Sequence, residues 1–242
     1  MIKDTDKSSG TNNMVGSGSG STLTGKNPFA ILKASAIAAN QSAVFPNNFT
    51  NLPKVHPPFL PALTGKEAKE TYTLVLDLDE TLIHNVEYGQ ESFFLVRPGC
   101  VQFIELMAKY YETVIFTAAL QEYADQVIDQ IDVNNNIPYR LYRQHTSQNG
   151  PFLVKDLSLL GRDLHRTIII DNISDNFILQ PDNGIFCSTW YDDMTDKFLP
   201  EISPLLVEIV EKKVPDVRNG MRTYRDQMLR QISLGQNAPT FE

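Results

Sequence analysis

Thr71-Tyr72-Thr73-Leu74-Val75-Leu76-Asp77-Leu78-Asp79-Glu80-Thr81 is the stretch of sequence that decides the fold. Its first six residues are apolar or β-branched, as is typical of a strand buried on both faces of a parallel sheet. The run ends in two aspartates spaced two residues apart. The stretch therefore predicts a central parallel strand with acidic side chains at its carboxyl end.

The alternation of strand and helix continues beyond this stretch. Further strands are predicted at residues 113–116, 140–142, 166–170 and 184–187. Apolar stripes at helical spacing predict helices over 98–110, 123–131 and 198–209, with a possible last helix at 224–232. Strands and helices that alternate in this way form right-handed βαβ units, so the predicted fold class is α/β with an open, central parallel sheet.

The residues before this domain divide into two segments. Residues 1–26 are rich in Ser, Gly and Asn and are predicted to be a disordered tail, because they cannot bury enough apolar surface to offset their ordering entropy. Residues 27–69 contain several prolines and are predicted to be an extended or irregular arm, with Phe59 and Leu60 docking on the domain. The domain itself is expected to span residues 70–242.

Composition excludes several classes of protein. The formal net charge of −8 argues against nucleic acid as a direct ligand, because phosphate backbones demand a basic face. No secretory signal opens the sequence and no apolar run reaches the roughly 20 residues of a membrane span, so no membrane partner is expected. Cys100 and Cys187 are expected to be free thiols. We expect a soluble protein of the nucleus or cytoplasm and leave its oligomeric state open.

Polar side chains follow the predicted strands where each strand ends. The first strand ends at Asp77 and Asp79, the next at Thr117, and a later one at Asp171-Asn172, while Lys155 lies between them in the sequence. In an open parallel sheet, ligands bind beyond the carboxyl ends of the strands. We therefore expect these side chains to converge on one edge of the sheet.

Each of these residues alone has an ordinary structural interpretation. Asp-Leu-Asp after a strand is often a turn or a helix cap, and a lone lysine is usually solvated. Together they favour phosphoryl transfer to an aspartate, since a carboxylate attacks phosphorus when a divalent cation and fixed cations screen the phosphate. One aspartate of the pair would be the nucleophile and the other the general acid and base. Carboxylate, carbonyl and amide oxygens are suitable ligands for Mg²⁺.

Residues 74–84 resemble the signature of the haloacid-dehalogenase superfamily, and more closely that of the small phosphatases that act on the carboxy-terminal domain of RNA polymerase II. Further blocks match in order and spacing: Phe116-Thr117-Ala118-Ala119, Tyr142-Arg143-Gln144-His145, Val154-Lys155-Asp156-Leu157 and Ile170-Asp171-Asn172. The resemblance covers about residues 70–230. It implies a three-layer, Rossmann-like haloacid-dehalogenase fold without a large cap domain.

On the matching positions, the resemblance implies that Asp77 is phosphorylated during turnover and that Asp79 is the general acid and base. It implies a Mg²⁺ site at Asp77, Asp79 (through its backbone carbonyl), Asn172 and, in support, Asp171. It implies phosphate contacts from Thr117, Lys155 and Arg143, and an apolar substrate pocket at Leu120 and Tyr123. The implied substrate is phosphoserine or phosphothreonine in a flexible protein segment, which includes the polymerase tail.

One departure bears on specificity. Only residues 85–96 separate His84 from Arg97-Pro98, where family members that recognise the polymerase tail carry a longer insertion. We expect residues 93–95 to form a short hairpin edge and part of the substrate pocket to be missing.

Two alternatives to a protein phosphatase therefore stay open. One is a small-molecule phosphatase of the same superfamily. The other is a non-catalytic binding protein with the same fold, as in the receptor subunit of the mitochondrial inner-membrane translocase.

Overall fold

The computed structural model describes residues 52–88 and 91–223, the backbone of residues 32–34, and Asp226. Its strands are β1 (Leu32–Ala34), β2 (Thr73–Leu76), β3 (Ile83–Tyr88), β4 (Glu91–Val96), β5 (Glu112–Phe116), β6 (Tyr139–Leu141), β7 (Ser147–Asn149), β8 (Phe152–Val154), β9 (Thr167–Asp171) and β10 (Gly184–Phe186). Its α-helices are α1 (Glu67–Glu70), α2 (Cys100–Met107), α3 (Gln121–Ile131) and α4 (Phe198–Glu211). The predicted tail, residues 1–26, lies outside the described residues. So does the predicted helix at 224–232 apart from Asp226, although residues 217–223 are helical.

The central sheet has five strands in the order β10-β9-β2-β5-β6, and all neighbouring strands are parallel. All four residues of β2 are buried at its centre, as the apolar run predicted. The register places Leu76 opposite Ile115 on one side and Ile170 on the other, so the carboxyl ends of these strands lie level. The predicted α/β class with a central parallel sheet is confirmed.

One face of this sheet is covered by long helices. Alternate strand residues such as Leu74, Ile115 and Ile168 pack there against the apolar stripes of α2, α3 and α4. Gly99 turns the chain into α2 with a φ of 79°, a left-handed conformation that favours glycine. We call this side of the sheet the helical face.

The opposite face is covered by irregular chain. Val75, Phe116 and Ile169 pack there against short 3₁₀ helices at 157–160 and 174–177 and against Leu60 of the arm. The backbone N–H of Leu60 donates to the carbonyl of Leu160 at 3.2 Å. The arm therefore docks on the domain through Phe59 and Leu60, as predicted, and completes a third layer that contains no long helix. We call this side the irregular face.

A hairpin of β3 and β4 follows the acidic motif directly, with Ile83 opposite Val96. The predicted hairpin edge is confirmed. The arm adds a third, antiparallel strand to it, because β1 pairs with the outer edge of β4 and Lys33 lies opposite Phe93. The prediction of an extended or irregular arm did not include this strand.

Cys100 and Cys187 are buried free thiols, as expected. Within the described part of the chain, no helix has the length and apolar character needed to cross a bilayer.

Candidate active site

The predicted polar residues meet at the carboxyl edge of the central sheet. Asp77 follows β2, and its backbone N–H donates to the carbonyl of Ile170 at 3.0 Å, which places it beside Asp171 at the end of β9. Because side chains alternate along a strand, both carboxylates project toward the irregular face, like Val75 and Ile169. Two acidic groups are thus held side by side in a buried environment.

Lys155 lies between these two carboxylates. Its Nζ is 2.5 Å from Oδ1 of Asp77 and 2.6 Å from Oδ2 of Asp171, and its side chain is fully buried. The strand β8 carries it there, and its backbone N–H donates to the carbonyl of Asn176 at 2.6 Å. Lys155 is therefore the fixed cation of a buried charge cluster rather than a solvated lysine.

The charges of this cluster do not balance. Burial, together with repulsion from Asp171, raises the pKa of Asp77 to about 7, although Lys155 opposes the shift. Burial alone would lower the pKa of Lys155, but the attraction of Asp171 and Asp77 outweighs it and raises that pKa. One lysine is thus shared by two carboxylates, with a third, Asp79, close to them. Burial thus favours the neutral form of Asp77, and Lys155 opposes this only in part.

Asp79 is held by two hydroxyl groups. Tyr123 donates to its Oδ1 at 2.8 Å, and Thr117 donates to its Oδ2 at a longer 3.4 Å. Burial raises the pKa of Asp79, and the hydrogen bond from Tyr123 opposes this. Burial lowers the pKa of Arg143, and the nearby charge of Asp79 partly offsets this effect. The Nε of Arg143 donates to the carbonyl of Ala118 at 2.6 Å, which fixes it beside the Thr117 turn.

Thr81 links Asp77 to Asn172. Its hydroxyl lies 3.0 Å from Oδ2 of Asp77 and 3.2 Å from Oδ1 of Asn172. One hydroxyl proton serves only one of these oxygens at a time, so the two acceptors compete for a single donor. Sequence reasoning did not assign Thr81 a role, although it ends the acidic motif.

A buried arginine, Arg97, holds the backbone of Thr81. Arg97 donates from Nη1 to the Thr81 carbonyl at 3.1 Å and pairs with both oxygens of Asp196, each at 2.8 Å. Asp196 is distant in sequence, and no local pattern pointed to this pair. Arg97 was noted in the sequence only as the start of a helix.

Asp171 is the most fully satisfied carboxylate of the site. Besides Lys155, its oxygens accept the backbone N–H of Ile173 at 2.8 Å and the amide of Asn176 at 3.1 and 3.2 Å. It is completely buried. This geometry suits a residue that orients Lys155 and leaves little room for direct metal ligation.

The donor set fits Mg²⁺. No group of three or more His, Cys, Asp or Glu side chains is arranged to hold a metal in the ranges that the structure describes. The oxygens that compete for Thr81, on Asp77 and Asn172, are instead one carboxylate and one amide. Mg²⁺ keeps several waters and needs only one or two protein carboxylates, so this set suits it.

The two predicted pocket residues lie on the first turn of α3 or just before it. Leu120 is half-buried at the N-terminal end of this helix, and Tyr123 is 5% exposed. The structure connects Tyr123 to Asp79 as well, which the sequence did not indicate. The pocket itself stays a prediction.

A family model described as NLI interacting factor-like phosphatase matches residues 72–218, which include every residue of this site. The chain belongs to that family. Among its relatives are a probable C-terminal domain small phosphatase of Dictyostelium discoideum and carboxy-terminal domain RNA polymerase II polypeptide A small phosphatase 1 of Homo sapiens. The first is 40% identical over 60% of this chain and 52% of the relative, and the second is 34% identical over 63% and 64%.

Another relative has a different name. It is the mitochondrial import inner membrane translocase subunit tim50 of Emericella nidulans, 35% identical over 66% of this chain and 30% of the relative. The chain thus spans about half or less of the length of several curated relatives that it matches. The suspected resemblance to the small phosphatases is confirmed at the level of the family.

Proposed function

We propose that this protein is a Mg²⁺-dependent protein serine/threonine phosphatase that forms a phospho-aspartate intermediate on Asp77. The observation that carries the proposal is the buried Asp77 carboxylate, bound by Lys155 and Thr81. The second carboxylate, Asp79, lies two residues further along the chain and accepts a separate hydrogen bond from Tyr123. Membership of a phosphatase family supports the same conclusion.

The two aspartates divide the chemistry between them. In the first step an oxygen of Asp77 attacks phosphorus, the bond from phosphorus to the ester oxygen breaks, and Asp79 gives its proton to that oxygen. In the second step Asp79 takes a proton from a water molecule whose oxygen attacks phosphorus, and the bond to Asp77 breaks. The products are an alcohol and inorganic phosphate, and both aspartates return to their starting states.

The surrounding residues bind and orient the phosphate. Lys155 donates to Oδ1 of Asp77 and Thr81 donates to Oδ2, so both oxygens of the nucleophile are held in place. Thr117 and Arg143 lie on the Asp79 side of the site, where they would contact the phosphate oxygens. Such preorganised donors stabilise developing charge and often supply the largest part of the rate enhancement.

The metal would be held by Asp77, the backbone carbonyl of Asp79 and Oδ1 of Asn172, with Asp171 in a supporting role through Lys155. When bound, Mg²⁺ screens the charge of the phosphate against the attacking carboxylate.

The proposed substrate is phosphoserine or phosphothreonine in a flexible protein segment, which includes the carboxy-terminal domain of RNA polymerase II. The names of two relatives support this class. The proposed location is the nucleus or the cytoplasm. A small phosphorylated metabolite is the alternative substrate, and comparing kcat/KM for phosphoserine peptides and sugar phosphates separates the two.

A second candidate function is binding without catalysis. It is favoured by the relatives named as translocase subunits, which share the family with named phosphatases. Against it, Asp77, Asp79 and Lys155 form a complete cluster in this chain. Activity decides between the two functions.

The test is Mg²⁺-dependent phosphate release from an aryl phosphate by the parent protein and by Asp77→Asn. Asn is nearly isosteric with Asp, so we expect turnover to fall by at least about 10³-fold while the fold is kept. Chelation of Mg²⁺ should also abolish release. Asp182→Asn, which changes a half-exposed surface acid, is the matched control and should keep full activity. A folded, Mg²⁺-loaded parent that releases no phosphate from aryl phosphates or phosphopeptides would favour the binding function.

A further inference from the structure

The two oxygens of the Asp79 carboxylate have different environments. Oδ1 accepts a 2.8 Å hydrogen bond from Tyr123, while among the residues that the structure describes Oδ2 has only the 3.4 Å contact with the Thr117 hydroxyl. A hydrogen bond at 2.8 Å has the ordinary length for a hydroxyl donor, whereas 3.4 Å is long and weak. Oδ1 is thus anchored and Oδ2 is largely available.

This asymmetry matters for a group that must deliver a proton. An oxygen that accepts a hydrogen bond from Tyr123 is a poor place for the acid proton, because protonation would make that oxygen a weaker acceptor. The proton of a neutral Asp79 therefore belongs on Oδ2. That oxygen faces Thr117, which follows β5 at the same sheet edge as Asp77.

We propose that Tyr123 is the positioning residue for the general acid: it holds Oδ1 of Asp79 so that Oδ2 carries the proton to the leaving oxygen of the substrate. The inference rests on the proposed function and gives Tyr123 a role in the chemistry beyond lining a pocket. Tyr123 is suited to it because it is almost fully buried on the first turn of α3, where packing fixes its ring.

The role predicts a dependence on the leaving group. A weakly basic leaving group such as nitrophenolate departs with little help from an acid, whereas a strongly basic one needs its proton in the transition state. Loss of an acid's alignment therefore slows substrates with basic leaving groups most. A change in substrate binding or in overall folding would instead affect aryl phosphates of similar size about equally.

The experiment compares Tyr123→Phe with the parent on a series of substituted phenyl phosphates whose leaving groups differ in pKa but hardly in size. The quantity is kcat/KM, because it reports the steps up to phosphorylation of Asp77 and not the later hydrolysis, which has no leaving-group dependence. We expect kcat/KM to fall by about 10- to 100-fold for the most basic leaving group and by less than about 3-fold for nitrophenyl phosphate. A phosphoserine peptide should behave like the most basic member.

The matched control is Tyr111→Phe. Tyr111 is also 5% exposed, and its hydroxyl donates to the carbonyl of Leu206 at 2.7 Å on the helical face, away from the site. This variant loses a buried tyrosine hydroxyl too and should keep the leaving-group dependence of the parent. Thermal unfolding of both variants shows whether each remains folded at the assay temperature.

Two results would overturn the inference. If Tyr123→Phe slows every aryl phosphate by the same factor, or raises only the KM for peptides, Tyr123 merely shapes the site. An inactive parent would be a different failure, because it removes the proposed phosphatase function and this inference with it. An active parent with an unchanged leaving-group dependence in Tyr123→Phe leaves the phosphatase function standing and refutes the role of Tyr123 alone.

Discussion

The two faces of the central sheet are built in different ways. The helical face buries apolar strand residues under α2, α3 and α4, which are regular, amphipathic elements. The irregular face is covered by 3₁₀ turns and the docked arm, and it receives the buried carboxylates of Asp77 and Asp171 with Lys155 between them. The chain thus separates ordinary apolar packing from buried charge by the side of the sheet.

This separation has a physical reason. A long helix satisfies its own backbone and presents an apolar stripe, so it has few groups to offer a buried charge. An irregular segment brings backbone N–H groups, amides and a lysine to the carboxylates, as residues 155, 173 and 176 do here. The irregular face therefore carries Lys155 and the two carboxylates that share it, and α3 of the helical face adds Tyr123, which donates to Asp79.

The largest effect is expected from Lys155→Met. The change keeps most of the length of the side chain but leaves Asp77 and Asp171 buried side by side without a cation. We expect a loss of about 3–5 kcal/mol in the free energy of unfolding and of at least about 100-fold in kcat. Denaturant unfolding and phosphate release measure the two losses.

Two further variants sharpen this prediction. Lys212→Met removes a lysine from an exposed pair with Glu208 on α4 and should change stability by no more than about 0.5 kcal/mol. Adding Asp171→Asn to Lys155→Met should restore part of the lost stability, because it removes one of the two repelling charges. Equal stability of Lys155→Met and the parent would show that the cluster is not a buried charge system.

A comparison of Leu60→Ala with Leu199→Ala tests whether the faces differ in their control of the site. Both leucines are buried, one in the arm and one in α4, and each truncation should cost about 2–5 kcal/mol. The side chain of Leu60 packs in the same apolar cluster as Leu157 and Leu160, in the segment that follows Lys155, so only Leu60→Ala should also lower kcat/KM, by a few-fold. If both variants keep the kcat/KM of the parent at a temperature where they are folded, the arm does not support the site.

A further prediction is a pH dependence of stability in the Mg²⁺-free protein. The pKa of Asp77 is about 7 when folded and about 4 for an aspartate in an unfolded chain, so folding favours its protonated form. The stabilising contribution is fully present below the unfolded pKa and is lost as the pH rises through the folded pKa. Denaturant unfolding in chelator should thus show lower stability near pH 8 than near pH 5.

Asp77→Asn provides the comparison for this pH dependence. It removes the titrating group, so its free energy of unfolding should decline less between the same two pH values. A decline of equal size in parent and variant would assign the effect to other groups.

The strands of the central sheet and the long helices could be predicted from the local pattern of apolar residues. Each of the five predicted sheet strands is present within two residues of its expected bounds, because a buried parallel strand needs a continuous apolar run. The stripe at Tyr123 to Ile131 marked α3 in the same way. The irregular face had no such pattern, and its 3₁₀ turns and the pairing of β1 with β4 were not predicted.

The residues of the candidate site likewise include some that the sequence predicted and some that it did not. Its residues at strand ends were predicted because parallel strands end at a common edge. The partners that hold them were not predicted. Thr81 and Arg97 act through contacts between segments far apart in the sequence, and Asn176 reaches Asp171 from a 3₁₀ turn that no periodic pattern indicated. Residue type alone does not say which side chains will meet.

The sequence by itself thus determined the α/β class, the edge of the sheet where chemistry is expected and the carboxylates that stand there. These depend on periodicity and on strand order, which are local or nearly local properties. Only the tertiary structure decided that Lys155 is shared by Asp77 and Asp171, and that Tyr123 holds one oxygen of Asp79. The reason is that a hydrogen bond or ion pair forms only when two atoms are placed to within a few tenths of an ångström. Packing sets that placement, and residue order does not.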